Sequence, residues 1–296
     1  MHGNEGSKTG VDSTAIPNRF VVTGANGYLG RNICLALLAE GSRVFALSRS
    51  DFSKLPESEN LTRITFELGR DNPESLRDVL SDSILIDTAW SNGFNHWDRS
   101  HLSQASEHLD FLTRAAALGT KKLVGIGSMH EIGRFDGPFR EADPLNPENI
   151  YGLSKLALLR GQKHISKVTG VPSLWLRCFY FEGQDQENNS ILSKVLRASR
   201  NQESLTFDSG VGRFDFIDVA VAGRLIASLS SDPDVIGEIN IGSGLQTSIR
   251  EKIIEFVKAN DLDIEIHFDA SRDADEPVVG CWPDISNLKR LTSDRQ

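Results

Sequence analysis

A chain of 296 residues, 39% apolar and 25% charged, can bury a sizeable core, and its length suits one large α/β unit with a smaller appendage. The formal charge of -9 argues against a nucleic-acid surface, since phosphate tracking needs clustered Lys and Arg. No run of about 18 apolar residues is present, which excludes a spanning helix.

The start, residues 1–18, is polar and rich in Gly and Ser, and reads as a disordered tail rather than a signal peptide. From Arg19 the pattern alternates. "RFVVTG" is a short buried strand, and Tyr28–Glu40 is a helix with Leu29, Ile33, Leu37 and Leu38 on one face, ended by Gly41. Strands follow at 43–48 and 62–68. A helix opened by Pro73 spans 73–80, another strand covers 83–90, and a long helix runs from Ser103 to Leu118. "KKLVGIGS" (121–128) is a strand, 129–150 is loop, Tyr151–Thr169 a helix closed by Gly170, and 172–179 a strand. In the second half, helices are expected at 187–200, 219–231 and 248–260, and strands at 204–209, 213–219 and 237–244. Strands alternating with helices of this length imply βαβ units and a parallel sheet covered on both faces.

Three glycines, Gly24, Gly27 and Gly30, sit three residues apart at the first strand-to-helix turn. Spaced glycines let the backbone approach a pyrophosphate, and a helix N-terminus offers unpaired N–H groups and partial positive charge. Gly24 suits the tight turn, Gly27 the close approach, and Gly30 the packing of helix on strand. The end of the second strand selects the cofactor: an acid there would bond the adenosine ribose, an Arg a 2′-phosphate. The strand ends "ALSRS", with Arg49 between Ser48 and Ser50 and no acid before Asp51, so the reading is NADP (NADPH). A solvated surface arginine is the competing reading.

Tyr151 and Lys155 lie four residues apart at a helix start and project from one face. A free Tyr titrates near about 10; a nearby ammonium favours phenolate and brings the group closer to use as a general acid/base. Ser128 ends a strand at the carboxyl edge of the sheet, where ligands of open α/β folds bind, and its hydroxyl can bond the oxygen that Tyr151 protonates. A surface Tyr stacked on a Lys stem is the plainer alternative.

With these residues in hand, the chain resembles the extended short-chain dehydrogenase/reductases, the NAD(P)-dependent epimerase/dehydratase family acting on nucleotide sugars. The family's T-G-x-x-G-[FY]-[IL]-G matches Thr23–Gly30, its Y-x-x-x-K matches Tyr151–Lys155, the serine of its S-x-x-x-Y-G falls on Ser128, and L-R-x-F on 176–179. "DFIDVA" and "EINIGSG" match as well, and coverage runs from Phe20 to Leu291. The resemblance implies a Rossmann-type doubly wound parallel sheet with a small C-terminal α/β substrate lobe. The expected division is a NADP-binding domain over 19–178 and 214–242 and a substrate-binding lobe over 179–213 and 243–296. It implies catalytic Ser128, Tyr151 and Lys155. Cofactor contacts are expected from Gly24, Asn26, Gly27, Tyr28, Leu29, Gly30, Ser48, Arg49, Ala89, Tyr151 and Lys155, and substrate contacts from Ser128, His130, Tyr151 and Arg213. Several positions depart from the pattern: Ile132 replaces the tyrosine of S-x-x-x-Y-G, and Asp87-Thr88-Ala89 replaces H-x-A. Phe214 replaces the arginine before "DF", which transfers that role to Arg213.

Relatives epimerise, dehydrate or reduce. Dehydratases of the family carry an acid pair directly after the catalytic Ser or Thr; here Met129 takes the first place and Glu131 stands one place late. Arg49 and the missing acid favour exchangeable NADPH and net reduction. The expected activity is an oxidoreductase: reduction of a nucleotide-linked 4-keto-6-deoxyhexose in cytoplasmic deoxysugar and polysaccharide biosynthesis. Its expected partners are a nucleotide-sugar substrate and a second copy in a homodimer, without nucleic acid, membrane or metal. The alternatives are a nucleotide-sugar 4-epimerase, a reductase of another carbonyl, and a non-catalytic NADP-sensing protein. His96, His101 and Trp97 are assigned to a surface loop, and Asp273–Pro277 to an acidic turn. Cys34 and Cys178, in apolar runs, are read as small buried hydrophobes.

Overall fold

The computed structural model describes residues 18–49, 51–183, 190–273 and 280–293. The expected N-terminal tail up to residue 17, Ser50, and the acidic turn after Asp273 lie outside the described residues.

Among the described residues the elements run as follows. The first half holds β1 (Arg19–Thr23), α1 (Tyr28–Ala39), β2 (Arg43–Ser48), β3 (Leu61–Thr65), a 3-10 turn (Pro73–Leu76) leading into α2 (Arg77–Leu80), β4 (Ile84–Asp87), α3 (Ser100–Ala117) and β5 (Lys122–Ser128). A 3-10 turn (Met129–Glu131), β6 (Gly137–Phe139), α4 (Ile150–Thr169), β7 (Ser173–Cys178) and β8 (Tyr180–Glu182) follow. The second half holds α5 (Ile191–Asn201), β9 (Leu205–Phe207), β10 (Arg213–Asp218), α6 (Val219–Ser231), β11 (Gly237–Ile241), β12 (Gln246–Ser248), α7 (Ile249–Ala259), β13 (Ile266–Phe268), β14 (Cys281–Pro283) and α8 (Ser286–Ser293).

Seven strands form one parallel sheet in the order β11-β7-β5-β4-β1-β2-β3. Chain order reverses between β1 and β4, which opens a crevice at their carboxyl ends. The arrangement is the doubly wound, Rossmann-type sheet expected from the alternation. Strand β1 explains why it is buried on both sides. Phe20 and Val22 point into one core with Ile33, Leu37, Ile226 and Leu288, whereas Val21 points into the other with Phe111, Leu112, Leu158 and Trp175. Helices α1, α6 and α8 cover one face and α2, α3 and α4 the other, so the strands read as continuous apolar runs rather than alternating ones.

Two glycines in β5 have a packing reason. A Cβ on Gly125 would come within 2.5 Å of the Trp175 ring, and one on Gly127 within 2.2 Å of Trp175 Nε1 and 2.5 Å of Glu131. The missing side chains let the indole and the carboxylate lie over the strand that ends in Ser128. Beyond it, Lys122 turns its buried ammonium onto the C-terminus of α6, donating to the Leu229, Ser230 and Asp232 carbonyls at 3.2, 3.2 and 2.6 Å. A cation there meets the last unpaired carbonyls and the negative end of the helix dipole.

A second, mixed sheet joins β12, β10, β14 and β6, with β8 alongside β10. A parallel pair, β9 and β13, stands apart. Here the expectations need correction. Residues 129–150 hold a 3-10 turn and β6 rather than loop alone; β6 is three residues long and pairs with β14, a distant partner that local periodicity cannot reveal. The strand expected at 62–68 stops at Thr65, and Phe66–Leu68 line a cleft instead. The strand beginning at Arg213 pairs in the small sheet, while its Ile217 packs into the large-sheet core together with α6 and β11. Helix α8, assigned to the lobe, packs Leu288 against the core around β11.

Candidate active site

A cleft of about 990 Å³ runs along the carboxyl ends of the large sheet, from the glycine turn to α5. The glycine turn forms its floor. Gly24 has φ +60°, and a Cβ there would lie 2.8 Å from Ala89 Cα; a Cβ on Gly30 would lie 2.3 Å from the Gly24 carbonyl. Gly27 is the N-cap of α1 and offers no side-chain cap to its first turn. Asn26, Gly27, Tyr28, Leu29 and Gly30 all line the cleft. A cradle that only glycine fits, at an uncapped helix N-terminus, suits the pyrophosphate of a dinucleotide.

Thr23 ties the turn to the neighbouring strand end. Its hydroxyl donates to Asp87 at 2.6 Å and accepts from the Thr88 and Ala89 N–H groups at 3.0 and 3.1 Å, which fixes Ala89 at the cleft wall. At the end of β2, Ser48 and the exposed Arg49 also line the cleft. Asp51, the first acid beyond, is occupied elsewhere. It accepts from Ser53 N–H at 2.8 Å, Ser53 Oγ at 2.9 Å and Asn26 Nδ2 at 2.9 Å, and these bonds hold its carboxyl below the usual range. At this end of the cleft Arg49 and Ser48 stand near Phe66, Glu67 and Glu107.

Ser128, Tyr151 and Lys155 meet in the middle of the cleft. Asn149 caps α4, accepting from Gly152 N–H at 2.8 Å, so Tyr151 stands in the first helical turn and Lys155 one turn on. The tyrosine and Ser128 side chains share a hydrogen bond. Burial pushes the phenol up, the Ser128 bond opposing it, so Tyr151 holds its proton and can donate it. Lys155, 4% exposed, donates to the Ile126 carbonyl at 3.0 Å and lies 3.8 Å from the Trp90 ring centroid. Burial lowers its ammonium to about 8, with Asp87 and Glu131 limiting the fall.

Glu131 does not reach the cleft. Its carboxylate accepts from Ser128 N–H at 2.7 Å, from Trp175 Nε1 at 3.2 Å and from Arg177 Nε at 3.1 Å. Arg177, fully buried, continues to Glu238 at 2.7 Å, and Glu238 to Lys163 at the surface. The acid standing one place late is thus committed to a buried ion-pair chain beneath Ser128, whose turn it caps.

Trp97 is exposed, as expected of a surface loop, but the histidines around it are not. His101 is fully buried, accepting from Trp90 Nε1 at Nδ1 (3.0 Å) and donating through Nε2 to the Asn95 carbonyl (2.9 Å). The His96 ring stacks 5.6 Å from Tyr151 and 3.9 Å from His130, and Tyr151 N–H donates to the His96 carbonyl at 2.9 Å. His130 lines the cleft as expected, and burial, with His96 beside it, drops its imidazole to about 3. The indole at Trp90 anchors the loop; nothing in the spacing of the histidines announces that.

Arg213 is the one expected site residue that the fold does not bring to the cleft. On β10, Phe214 and Phe216 share the face against Tyr180, and Phe216 lines the cleft; strand alternation sends Arg213 to the other face. It is exposed there, 3.7 Å from Glu251. The cation that does line that end is Lys194, in the first turn of α5 after the Ser190 cap. Its helical position was legible; its direction was not, because no motif marks it. Among the described residues no group of three or more His, Cys, Asp or Glu side chains is placed to hold a metal ion, and no helix is long and apolar enough to cross a membrane.

Comparison with known proteins gives the same picture. The model of the NAD dependent epimerase/dehydratase family matches residues 20–242. A dTDP-6-deoxy-L-talose 4-dehydrogenase (NAD(+)) from Aggregatibacter actinomycetemcomitans is 36% identical over 83% of this chain and 92% of its own. A dTDP-6-deoxy-L-talose 4-dehydrogenase (NAD(P)(+)) from Kitasatospora kifunensis is 25% identical over 84% of this chain and 81% of its own. Among solved structures, a UDP-N-acetylglucosamine 4-epimerase from Methanobrevibacter ruminantium, in complex with UDP-N-acetylmuramic acid, superposes with a TM-score of 0.80 at 22% identity. It covers 93% of this chain and 92% of its own, which supports the fold.

Proposed function

The chain belongs to the NAD-dependent epimerase/dehydratase family of extended short-chain dehydrogenase/reductases and is an NAD(P)-dependent enzyme; from that premise we propose that it is an NADPH-dependent reductase of a nucleotide-linked 4-keto-6-deoxyhexose. The observation that carries the reading is the convergence of Ser128, Tyr151 and Lys155 on one cleft with the glycine turn. Two of its relatives are 4-dehydrogenases of a dTDP-linked 6-deoxyhexose. By microscopic reversibility, a residue set that removes hydrogen at C4 returns it to the 4-ketone.

Three features of this chain narrow the choice. Arg49 and Ser48 favour a 2′-phosphate, while Asp51 is bound to Ser53 and Asn26. Glu131 is held by Arg177, and Met129 and His130 fill the places where a dehydratase would need acids. Around Tyr151 the cleft offers indole, imidazole and phenyl side chains, with the buried Lys155 the only lysine or arginine of β5, α4 and the histidine loop that lines it. That favours a neutral sugar over a uronate, whose carboxylate would call for an exposed cation.

When bound, the nicotinamide supplies the hydride to the keto carbon. Ser128 and Tyr151 donate hydrogen bonds to the keto oxygen, and Tyr151 passes its proton to the alkoxide that develops there. Lys155 holds the nicotinamide ribose and stabilises the phenolate left behind. Lys194 is placed to meet the sugar's diphosphate at the far end of the cleft. We accordingly assign the cofactor to the large-sheet part of the chain, and the sugar nucleotide to the cleft side facing the small lobe. A screen of the purified protein with NADPH against nucleotide-linked keto-sugars tests the reading. Turnover of a 4-keto-6-deoxyhexose is expected, and NADPH oxidation by none of them would overturn it.

A further inference from the structure

Trp90 stands just beyond the end of β4, directly after Ala89, and its half-buried side chain lines the cleft. The Lys155 ammonium, on a residue only 4% exposed, lies 3.8 Å from the centre of its ring. The Tyr151 ring meets the same indole edge-on, with centroids 5.9 Å apart. One side chain outside the Ser-Tyr-Lys set thus packs against two of its members.

The indole is held in place from its far side. Its N–H can only donate, and it donates to His101 Nδ1 at 3.0 Å, so that His101 Nε2 donates in turn to the Asn95 carbonyl at 2.9 Å. The His101 ring, fully buried, stacks on the indole at 6.0 Å with 22° between planes, and His108 packs against it at 5.2 Å. The next carbonyl of the loop, that of His96, accepts the Tyr151 N–H at 2.9 Å. Two consecutive residues of the loop therefore fix the indole and the start of α4 together. Tryptophan presents the strongest ring face to a cation, and the attraction grows where water is excluded. Such a face attracts the charge without using up an N–H. Lys155 gives one donor to the Ile126 carbonyl at 3.0 Å, and an ammonium has three.

We propose that Trp90, clamped by His101, is a positioning residue of the active site: its ring face holds the Lys155 ammonium in its charged form and at its place in the cleft, with donors left for a ligand. The proposal rests on the reading of Lys155 as part of the active site, and Trp90 acts through that lysine. The titratable groups around Lys155 are Asp87 from β4, Glu131 from the turn after β5, Cys178 from β7 and Tyr151 from its own helix, with His101 and His108 of α3 behind the indole. Asp87 is bonded to Thr23 and His108, and Glu131 to Arg177. A change confined to the electron density of the indole leaves all of them as they are, which isolates the contribution of the ring face.

The test reads the lysine directly. Full-length protein carrying ¹³C-labelled lysine is titrated by NMR, with the Lys155 signal assigned from its loss in Lys155→Met. A tryptophan fluorinated at several ring carbons, placed at position 90, keeps the shape and the N–H of the indole while drawing electron density off its face. It should lower the Lys155 midpoint by about half a unit or more, and the alkaline limb of kcat/KM should move down by the same amount. Among genetic variants, Trp90→Phe keeps a weaker face and should shift the midpoint down less than Trp90→Leu, which keeps none. A midpoint unmoved by fluorination overturns the proposal, whatever the activity does, as does a phenylalanine variant shifted down further than the leucine one. Absence of turnover with any keto-sugar, beside a shifted midpoint, would overturn the assigned reaction and leave the role of Trp90 toward Lys155 in place.

Discussion

Lys155 sets its ammonium 3.8 Å from the centre of the Trp90 ring while donating to the Ile126 carbonyl at 3.0 Å. Burial lowers its titration from 10.5 to about 8, and the carboxylates of Asp87 and Glu131 limit the fall. An unfolded lysine keeps its proton to about 10.4, so between about pH 8 and that value the unfolded chain binds a proton that the folded chain does not. Stability therefore rises with pH across this window, and below it the buried ammonium destabilises the fold by up to about 3 kcal/mol. Lys155→Met should be inactive yet more stable at pH 7, by about 1–2 kcal/mol, the gain being trimmed because Asp87 loses its cation. Urea unfolding at pH 7 and pH 9.5 checks this. The difference should shrink at the higher pH, and a constant difference would show that the ammonium is not the cause.

The same ammonium sets the pH range of catalysis. With Tyr151 held as a phenol well above neutrality, the proton it donates is not limiting, and Lys155 becomes the group whose loss of charge slows reduction. The value of kcat/KM should be flat up to about pH 8 and fall beyond it. Tyr151→Phe should lower activity by roughly 10²–10⁴ at every pH while leaving NADPH binding nearly intact. Full activity in the phenylalanine variant would mean that another group delivers the proton.

Cofactor choice turns on the end of β2. If Arg49 takes the 2′-phosphate, NADPH should bind more tightly than NADH by about 1.5–3 kcal/mol, a charge-assisted contact. Arg49→Ala should erase most of that gap, since Asp51, bonded to Ser53 and Asn26, is not free to favour NADH in its place. Equal dissociation constants for the two nucleotides in the unaltered protein would contradict the assignment.

How far the sequence carried is clearest at the strand ends. Local signals were enough for the glycine turn, for β2 and for α6, because a strand or helix of apolar periodicity bounded by Gly or a cap specifies itself. They were enough for Ser128, Tyr151 and Lys155, whose positions follow from the carboxyl edge of a parallel sheet and one helical turn. They failed where partners are distant. β6 is three residues whose pairing with β14 lies far along the chain. His101 reads as a loop residue until Trp90, its buried hydrogen-bond donor, is known. Asp87 reads as a departure from a pattern until His108, twenty-one residues on, closes against it.

Arg213 shows the limit in another form, and supplies a test. The residue was chosen by its place beside "DF", but a one-residue offset on a strand reverses the face, and Phe216 marks the face that looks into the cleft. Arg213→Ala should leave the KM for the sugar nucleotide within about twofold. Lys194→Ala, on the cleft-lining turn of α5, should raise it by tenfold or more, as for loss of a charged hydrogen bond of about 1.5–3 kcal/mol. The opposite ranking would restore Arg213 as the diphosphate contact.

Direction of reaction separates the reductase from a 4-epimerase, which would use the same Ser128, Tyr151 and Lys155. Site variants cannot distinguish them, because both reactions pass the same proton and hydride at C4. Stoichiometry can. A reductase consumes one NADPH for each sugar and releases NADP, whereas an epimerase returns the hydride to the other face with no net change. Arg49 at the cofactor's edge, and Asp51 committed elsewhere, favour a dinucleotide that is exchanged each turnover over one that is kept. The expected result is loss of reduced-nicotinamide absorbance equal in moles to the nucleotide-linked 4-keto-6-deoxyhexose consumed. Deuterium from labelled NADPH should appear at C4 of the product. Interconversion of two nucleotide hexoses without added reductant, and without label uptake, would establish the epimerase instead.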